Sequence, residues 1–261
     1  MKEYQRLQQI SREMYPQLFQ TEEFDKLSKK YNQVKTYDAI EILEKHQWFV
    51  TEVQTKNIRN KNHLKYCKHI VRMRNPKQTV IDNELTPEIV LINSHDGTSS
   101  FKMMCGLFRL VCSNGLIIGD SLLPEISIRH DSKNTLKVEE FIDSNRKNFE
   151  IISDKKRELE NRSMNDKEKM FFYNKAFEIM WPKTNIEFDP KKLGTPKRIE
   201  DKSDNLWNVY NTVQENLIKG GIKYHTTKGN KTRSMTTREI KSPDRLVQVN
   251  KNLWDLAMEM E

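Results

Sequence analysis

The sequence predicts an α+β fold: an antiparallel β-meander followed by helices, with an N-terminal helical arm. Three observations carry this expectation. Between residues 47 and 130 the apolar residues fall in short runs of strand length, punctuated by turn dipeptides. After Lys133 the apolar spacing becomes helical. Strands first and helices afterwards is the α+β order, and no repeat of solenoid length competes with it. A chain of 261 residues with 11 Phe, 8 Tyr and 4 Trp has ample material for a core. The expected division is a polar arm over residues 1–30 and a single α+β domain over 31–261.

Taken in order, the arm is polar with scattered aromatics. Thr36 is the expected N-cap of a helix over Tyr37–Lys45, with Ala39, Ile40 and Leu43 at helical spacing. Gln47–Thr55 reads as a strand of β-branched and aromatic residues. Lys65–Arg74 alternates, placing Cys67, His69, Val71 and Met73 on one face and Tyr66, Lys68, Ile70, Arg72 and Arg74 on the other. Pro87 opens the apolar run Glu88–Asn93, and Ser94-His95-Asp96-Gly97 is a turn. Ser99–Cys112 is expected as one strand bulged at Gly106. Asn114-Gly115 is a second turn, Leu116–Ile118 returns from it, and Pro124–His130 adds a sixth strand. Helices follow from Val138 to about Arg162, over Met170–Trp181, over Asn205–Lys219 with Gly220-Gly221 as its stop, and over Leu246–Met258. Residues 182–204, broken by three prolines, form a polar connector.

The net charge of +8 conceals a sharper pattern. From Val53 to Ile81 there are eight Lys and Arg and no Asp or Glu. From Lys219 to Lys251 there are nine against two acids, so the rest of the chain carries −7. Two basic segments on an acidic body would attract a phosphate backbone if they were adjacent. The expected contacts are Lys56, Arg59, Lys65, Lys68, Arg72 and Arg74, with Lys228, Lys231, Arg233 and Arg238 as a second wall. A cationic sheet face carrying Tyr66 suits single strands, whose bases stack while charge tracks the backbone. The competing reading makes each segment a solvated hairpin or loop.

Other chemistry is sparse. His63, Cys67 and His69 lack a fourth ligand at zinc spacing, so no metal is expected. Ser94, His95 and Asp96 are consecutive at a hairpin tip, and triad members must converge in space, so their expected role is to hold the turn. Neither a Walker A pattern nor a dinucleotide fingerprint occurs, and no cofactor is expected. The longest apolar runs fall far short of the roughly 20 residues that cross a membrane. The first residues contain no apolar leader. With three cysteines, an odd count, a cytoplasmic location is expected, which is the host cytoplasm if the chain is phage-encoded.

The run Asn93-Ser94-His95-Asp96-Gly97-Thr98-Ser99, with Arg109-Leu110-Val111-Cys112-Ser113-Asn114-Gly115-Leu116, resembles the signature of a phage- and plasmid-borne family known as domain of unknown function 932. Leu206-Trp207-Asn208-Val209-Tyr210-Asn211, Gln214-Glu215-Asn216 and Asn250-Lys251-Asn252-Leu253-Trp254 fit the same family, with Arg238 in the Thr-Thr-Arg step between them. Its motif residues are therefore Asn93, His95, Asp96, Gly97, Arg109, Cys112, Asn114 and Gly115. The resemblance implies a mobile-element setting. The strand-then-helix layout is also similar to that of phage single-strand annealing proteins, an analogy that implies homo-oligomers and no cofactor. The leading expectation is a non-catalytic nucleic-acid-binding protein, with single-stranded DNA favoured as partner, acting in recombination or replication. The alternative is a protein-interaction module, such as an inhibitor of a host defence factor. An enzyme using His95 and Asp96 ranks last.

Overall fold

The computed structural model describes residues 4–22, 24–25, 27–56, 58–78, 84–110, 114–117, 125–131, 137–182, 186–228 and 231–261. The fold is α+β. Contacts group the chain into two compact units, residues 1–118, 122–150 and 241–243 in the first, and 119–121, 151–240 and 244–261 in the second. The boundary between them falls inside a long helix.

The first unit is an antiparallel meander. Helix α1 (Thr36–Lys45) leads into β1 (Phe49–Thr55), β2 (His69–Arg74), β3 (Leu85–Asn93), β4 (Phe101–Arg109), β5 (Asn114–Ile117) and β6 (Ile126–Ile128). Strands 1 to 5 lie side by side in sequence order, and β6 pairs with β4 over Phe101–Met103, beyond the part of β4 that β5 covers. Pro87 is tolerated inside β3 because the β2 ladder ends at Arg74 opposite Glu88, leaving the proline past the last rung. Helix α2 (Val138–Asn161) begins in this unit and continues into the second.

Several local expectations change. The bulge lies in β1, between Val50 and Glu52, while β3 and β4 run in unbroken register through Gly106. Gly106 is needed for space: a Cβ there would come 2.8 Å from Val90 Cγ2. Residues Lys61–Tyr66 form a 3-10 helix, so β2 starts only at His69. Asn114 and Gly115 lie within β5, paired with Arg109 and Phe108, and not in a turn. Thr36 is the first helical residue, with Lys35 at the cap, because its hydroxyl is engaged elsewhere. The arm is not a separate helix. It makes 3-10 turns at Leu7–Gln9 and Pro16–Phe19, buries Leu7, Ile10 and Leu18, and bridges β1 from Gln5 to Val50.

The second unit is built on α4 (Leu206–Lys219), buried on every side from Leu206 to Ile218. Tyr210 meets Trp254 of α5 (Pro243–Met258) edge-on, with ring centroids 5.8 Å apart. Two of its buried amides find partners: Asn216 Nδ2 donates to the Leu193 and Thr195 carbonyls at 2.8 and 2.9 Å, and Gln214 Nε2 to Asn250 Oδ1 at 3.0 Å. These residues belong to the Leu-Trp-Asn, Gln-Glu-Asn and Asn-Lys-Asn-Leu-Trp stretches, so that part of the signature encodes packing. Helix α3 (Asp166–Met180) starts in a capping box between Asn165 and Glu168. A small sheet of β7 (Ile186–Glu187), β8 (Lys223–Lys228) and β9 (Lys231–Thr236) completes the unit. Gly220 and Gly221, at φ 68° and 91°, end α4 and turn the chain into β8. Among the described residues no helix is long and apolar enough to cross a membrane.

Candidate nucleic-acid interface

The basic residues of the first segment separate into two populations. Lys56 and Arg59, past the end of β1, are exposed. Lys65 is half-buried, 3.2 Å from Glu22 and 5.0 Å from the Tyr66 ring centroid, and Lys68 is half-buried with an interaction of its own. Arg72 and Arg74 overturn the expected cationic face. Each is only 3% exposed, and both reach the fully buried Glu88: Arg72 Nη1 to Oε2 and Arg74 Nε to Oε1, each at 2.7 Å. A guanidinium buried against its own carboxylate is not presented to a phosphate backbone. Alternation placed both arginines on one face correctly. What it lacked was Glu88, directly opposite Arg74 on β3.

This triad explains one glycine, Gly115. Arg74 lies over the Phe108 ring, 3.4 Å from its centroid, and Arg72 lies against Gly115, donating from Nη2 to its carbonyl at 3.4 Å. A Cβ on Gly115 would fall 2.3 Å from the Arg72 guanidinium carbon. Gly115→Ala is therefore expected to displace Arg72 from Glu88 and cost about 2–3 kcal/mol, read as a lower urea midpoint at constant m. An unchanged midpoint would show that the strand yields instead. Arg109, also buried, pairs with Glu84.

The Asn93–Gly97 motif forms a second buried polar cluster. His69 Nδ1 faces the Cys67 carbonyl at 2.9 Å, so that nitrogen carries the proton and Nε2 accepts from the Thr36 hydroxyl at 2.8 Å. Thr36 Oγ1 in turn accepts from Asn93 Nδ2 at 3.0 Å, which also donates to Val34 O at 2.8 Å. His95 has the opposite tautomer: Nε2 donates to Gln17 O at 3.0 Å, and Nδ1 accepts from Gln33 Nε2 at 2.9 Å. Both rings are fully buried, and burial pushes His69 down to about 4 and His95 to about 3, the latter also repelled by His69. Asp96 is engaged within its own turn, accepting from the Thr98 backbone and hydroxyl at 3.0 and 2.6 Å. Gly97 sits at φ 77°. The motif thus ties the N-terminal segment to the sheet and makes no His–Asp dyad. Cys112 lies outside the described residues, and of Asn114 only the backbone is described.

The second basic segment is a hairpin whose strands the sequence pattern does not mark out. Strands β8 and β9 pair from Lys223 opposite Thr236 to Lys228 opposite Lys231. Thr232, Arg233, Ser234, Met235 and Thr236 are consecutively exposed, so neither face of β9 is packed over these described side chains. By register one face carries the Tyr224–Met235 and Thr226–Arg233 pairs, and the other carries Lys223, His225, Ser234 and Thr236. The Tyr224 and Thr226 hydroxyls each lie 3.8 Å from the Met235 sulfur. From Lys219 to Arg238 the chain has six basic residues and no acid. Arg238 is exposed just beyond β9. The missed signal was Gly229-Asn230, a two-residue hairpin dipeptide between β-branched runs.

Comparison with known proteins places these features in a wider set. A family described as a domain of unknown function (DUF932) matches residues 23–254. UPF0380 protein YfjQ of Escherichia coli (strain K12) is 29% identical over 245 residues, covering 93% of this chain and 86% of the relative. UPF0380 protein YafZ of the same strain is 28% identical over 242 residues, with the same coverage. No solved structure matches.

Proposed function

The chain belongs to the DUF932 family, and from that premise we propose that it is a non-catalytic nucleic-acid-binding protein that takes single strands through the β8–β9 ribbon. The observation that carries the reading is a two-stranded ribbon whose outer strand is exposed on both faces, with Lys and Arg and no acid in either strand. A strand that buries nothing contributes little to folding, and its charge makes an acidic polymer the fitting partner. One face sets an aromatic and a thioether beside Arg233, the combination that holds an unstacked base and its phosphate. Lys56 and Arg59 supply exposed cations in the first unit. A role in phage or plasmid recombination or replication fits such a protein, as does self-association along a bound strand.

Fluorescence anisotropy with labelled single-stranded and duplex DNA over a salt series tests this. Single strands should bind more tightly, with affinity falling as salt rises. Lys223→Glu combined with Arg233→Glu should weaken binding about tenfold or more, flatten the log–log salt slope by about 1.5, and leave the thermal midpoint unchanged. Absence of binding at low salt, or binding indifferent to this reversal, overturns the proposal. A stoichiometric protein partner without nucleic acid on co-purification would replace it with the interaction-module reading.

A further inference from the structure

The first unit contains a cavity of about 230 Å³ between the end of α1, the start of β1, the turn after β2 and the first half of α2. We propose that this cavity is a binding site for a single guanine base, free or in a strand. The ligand class rests on the nucleic-acid reading above; the base is chosen by the cavity itself. Its volume is below the roughly 300–1,000 Å³ of sites for drug-sized molecules, which suits one ring system. The apolar wall comes from Trp48 and Phe149, rings inclined at 30° with centroids 6.2 Å apart. They are only 2% and 7% exposed, so neither presents a free stacking face, and polar groups must supply the selectivity.

Two polar groups at the rim are uncommitted. The Asp143 carboxylate and the Gln78 carboxamide make no hydrogen bond or ion pair among the described residues, although both line the cavity. Asn75 is already used: its Nδ2 donates to His46 O at 3.2 Å and its Oδ1 accepts from Lys77 N at 2.9 Å, fixing the turn against α1. The C-terminus of α1 adds the negative end of its dipole, so the cavity favours N–H donors over anions. A carboxylate accepts two hydrogen bonds side by side, and a carboxamide can donate one. Guanine alone among the bases presents two adjacent N–H groups beside a carbonyl on its pairing edge. Adenine and cytosine offer one amino group beside an acceptor, and uracil offers one N–H between two carbonyls. Exposed Lys77 lies in the turn between the lining residues Asn75 and Gln78.

Calorimetric titration with GMP, AMP, CMP and UMP tests the assignment. GMP should saturate, with the others at least about tenfold weaker, because a carboxylate left facing an acceptor is penalised. Asp143→Asn, at an exposed position, should weaken GMP about tenfold or more without moving the thermal midpoint. No saturation by GMP up to about 1 mM, equal affinity for all four, or an unaffected variant overturns the proposal. A thymine-only strand run in parallel separates the two readings. Strand binding that depends on Arg233, with no GMP binding, removes the cavity site alone. GMP binding without strand binding keeps the cavity and removes the ribbon reading.

Discussion

Glu88→Gln is expected to be the most damaging conservative substitution in the first unit, lowering stability by about 3–5 kcal/mol. The side chain keeps its volume, so packing loss is not the cause. Two guanidiniums, each 3% exposed, now share one carboxylate that accepts from Arg72 at one oxygen and Arg74 at the other. Glutamine removes the charge and turns an N–H donor toward one of them. Two buried cations are then uncompensated in a medium where desolvation is expensive. Against a typical total of about 5–15 kcal/mol the unit would be marginal or unfolded. Urea denaturation measures the loss, and a drop below about 1 kcal/mol would show that water reaches the cluster. Replacing Arg72, Glu88 and Arg74 together by methionine should recover most of the stability, since an apolar set of similar volume carries no unpaired charge.

Acidification should open the same unit from its other buried cluster. His69 and His95 are neutral in the fold, with values near 4 and 3 against an unfolded value of about 6.5. Below pH 6.5 the unfolded chain binds protons that the folded chain refuses. The contribution is therefore complete above that pH and is lost as pH falls toward about 4 and 3. At pH 5 the loss is about 2 kcal/mol for each ring. Protonation also breaks connectivity, because His69 Nε2 accepts from Thr36 and His95 Nδ1 from Gln33, and an imidazolium can accept neither bond. Thermal midpoints between pH 7.5 and 4.5 should fall steeply below about 6.5, with a shallower fall in His95→Gln. A flat profile down to pH 5 would show that the rings take up protons in the fold as readily as in the unfolded chain.

The β-meander was legible because alternation and turn dipeptides are local signals, and β1 to β4 lie where they point. What escaped depends on what each strand meets across space. Arg72 and Arg74 read as an outer face because the period assigns sides and does not say which side is covered. Their compensating acid lies on the next strand, fourteen or more residues away. Thr36 has the composition of an N-cap, yet a buried histidine competes for its hydroxyl. The β8–β9 ribbon was hidden by its charge, which masks the strand pattern between Lys223 and Thr236. The motif that looked most catalytic, Ser94-His95-Asp96, divides between a structural imidazole and a turn carboxylate. The cavity residues come from three sequence regions and carry no common signature.

All six residues of β2 are buried, so water distinguishes neither of its faces. For such a strand hydrophobicity alone does not select one alignment over its neighbour, since either offset would keep apolar atoms covered. The Glu88 triad breaks that degeneracy. Sliding β2 by one residue along β3 would set Arg72 opposite Ile89 or Leu91 and leave Glu88 on the far side of the sheet, away from both cations. The misaligned sheet is therefore penalised electrostatically before its packing is tested, and three ionised side chains serve as the vernier that aligns the meander.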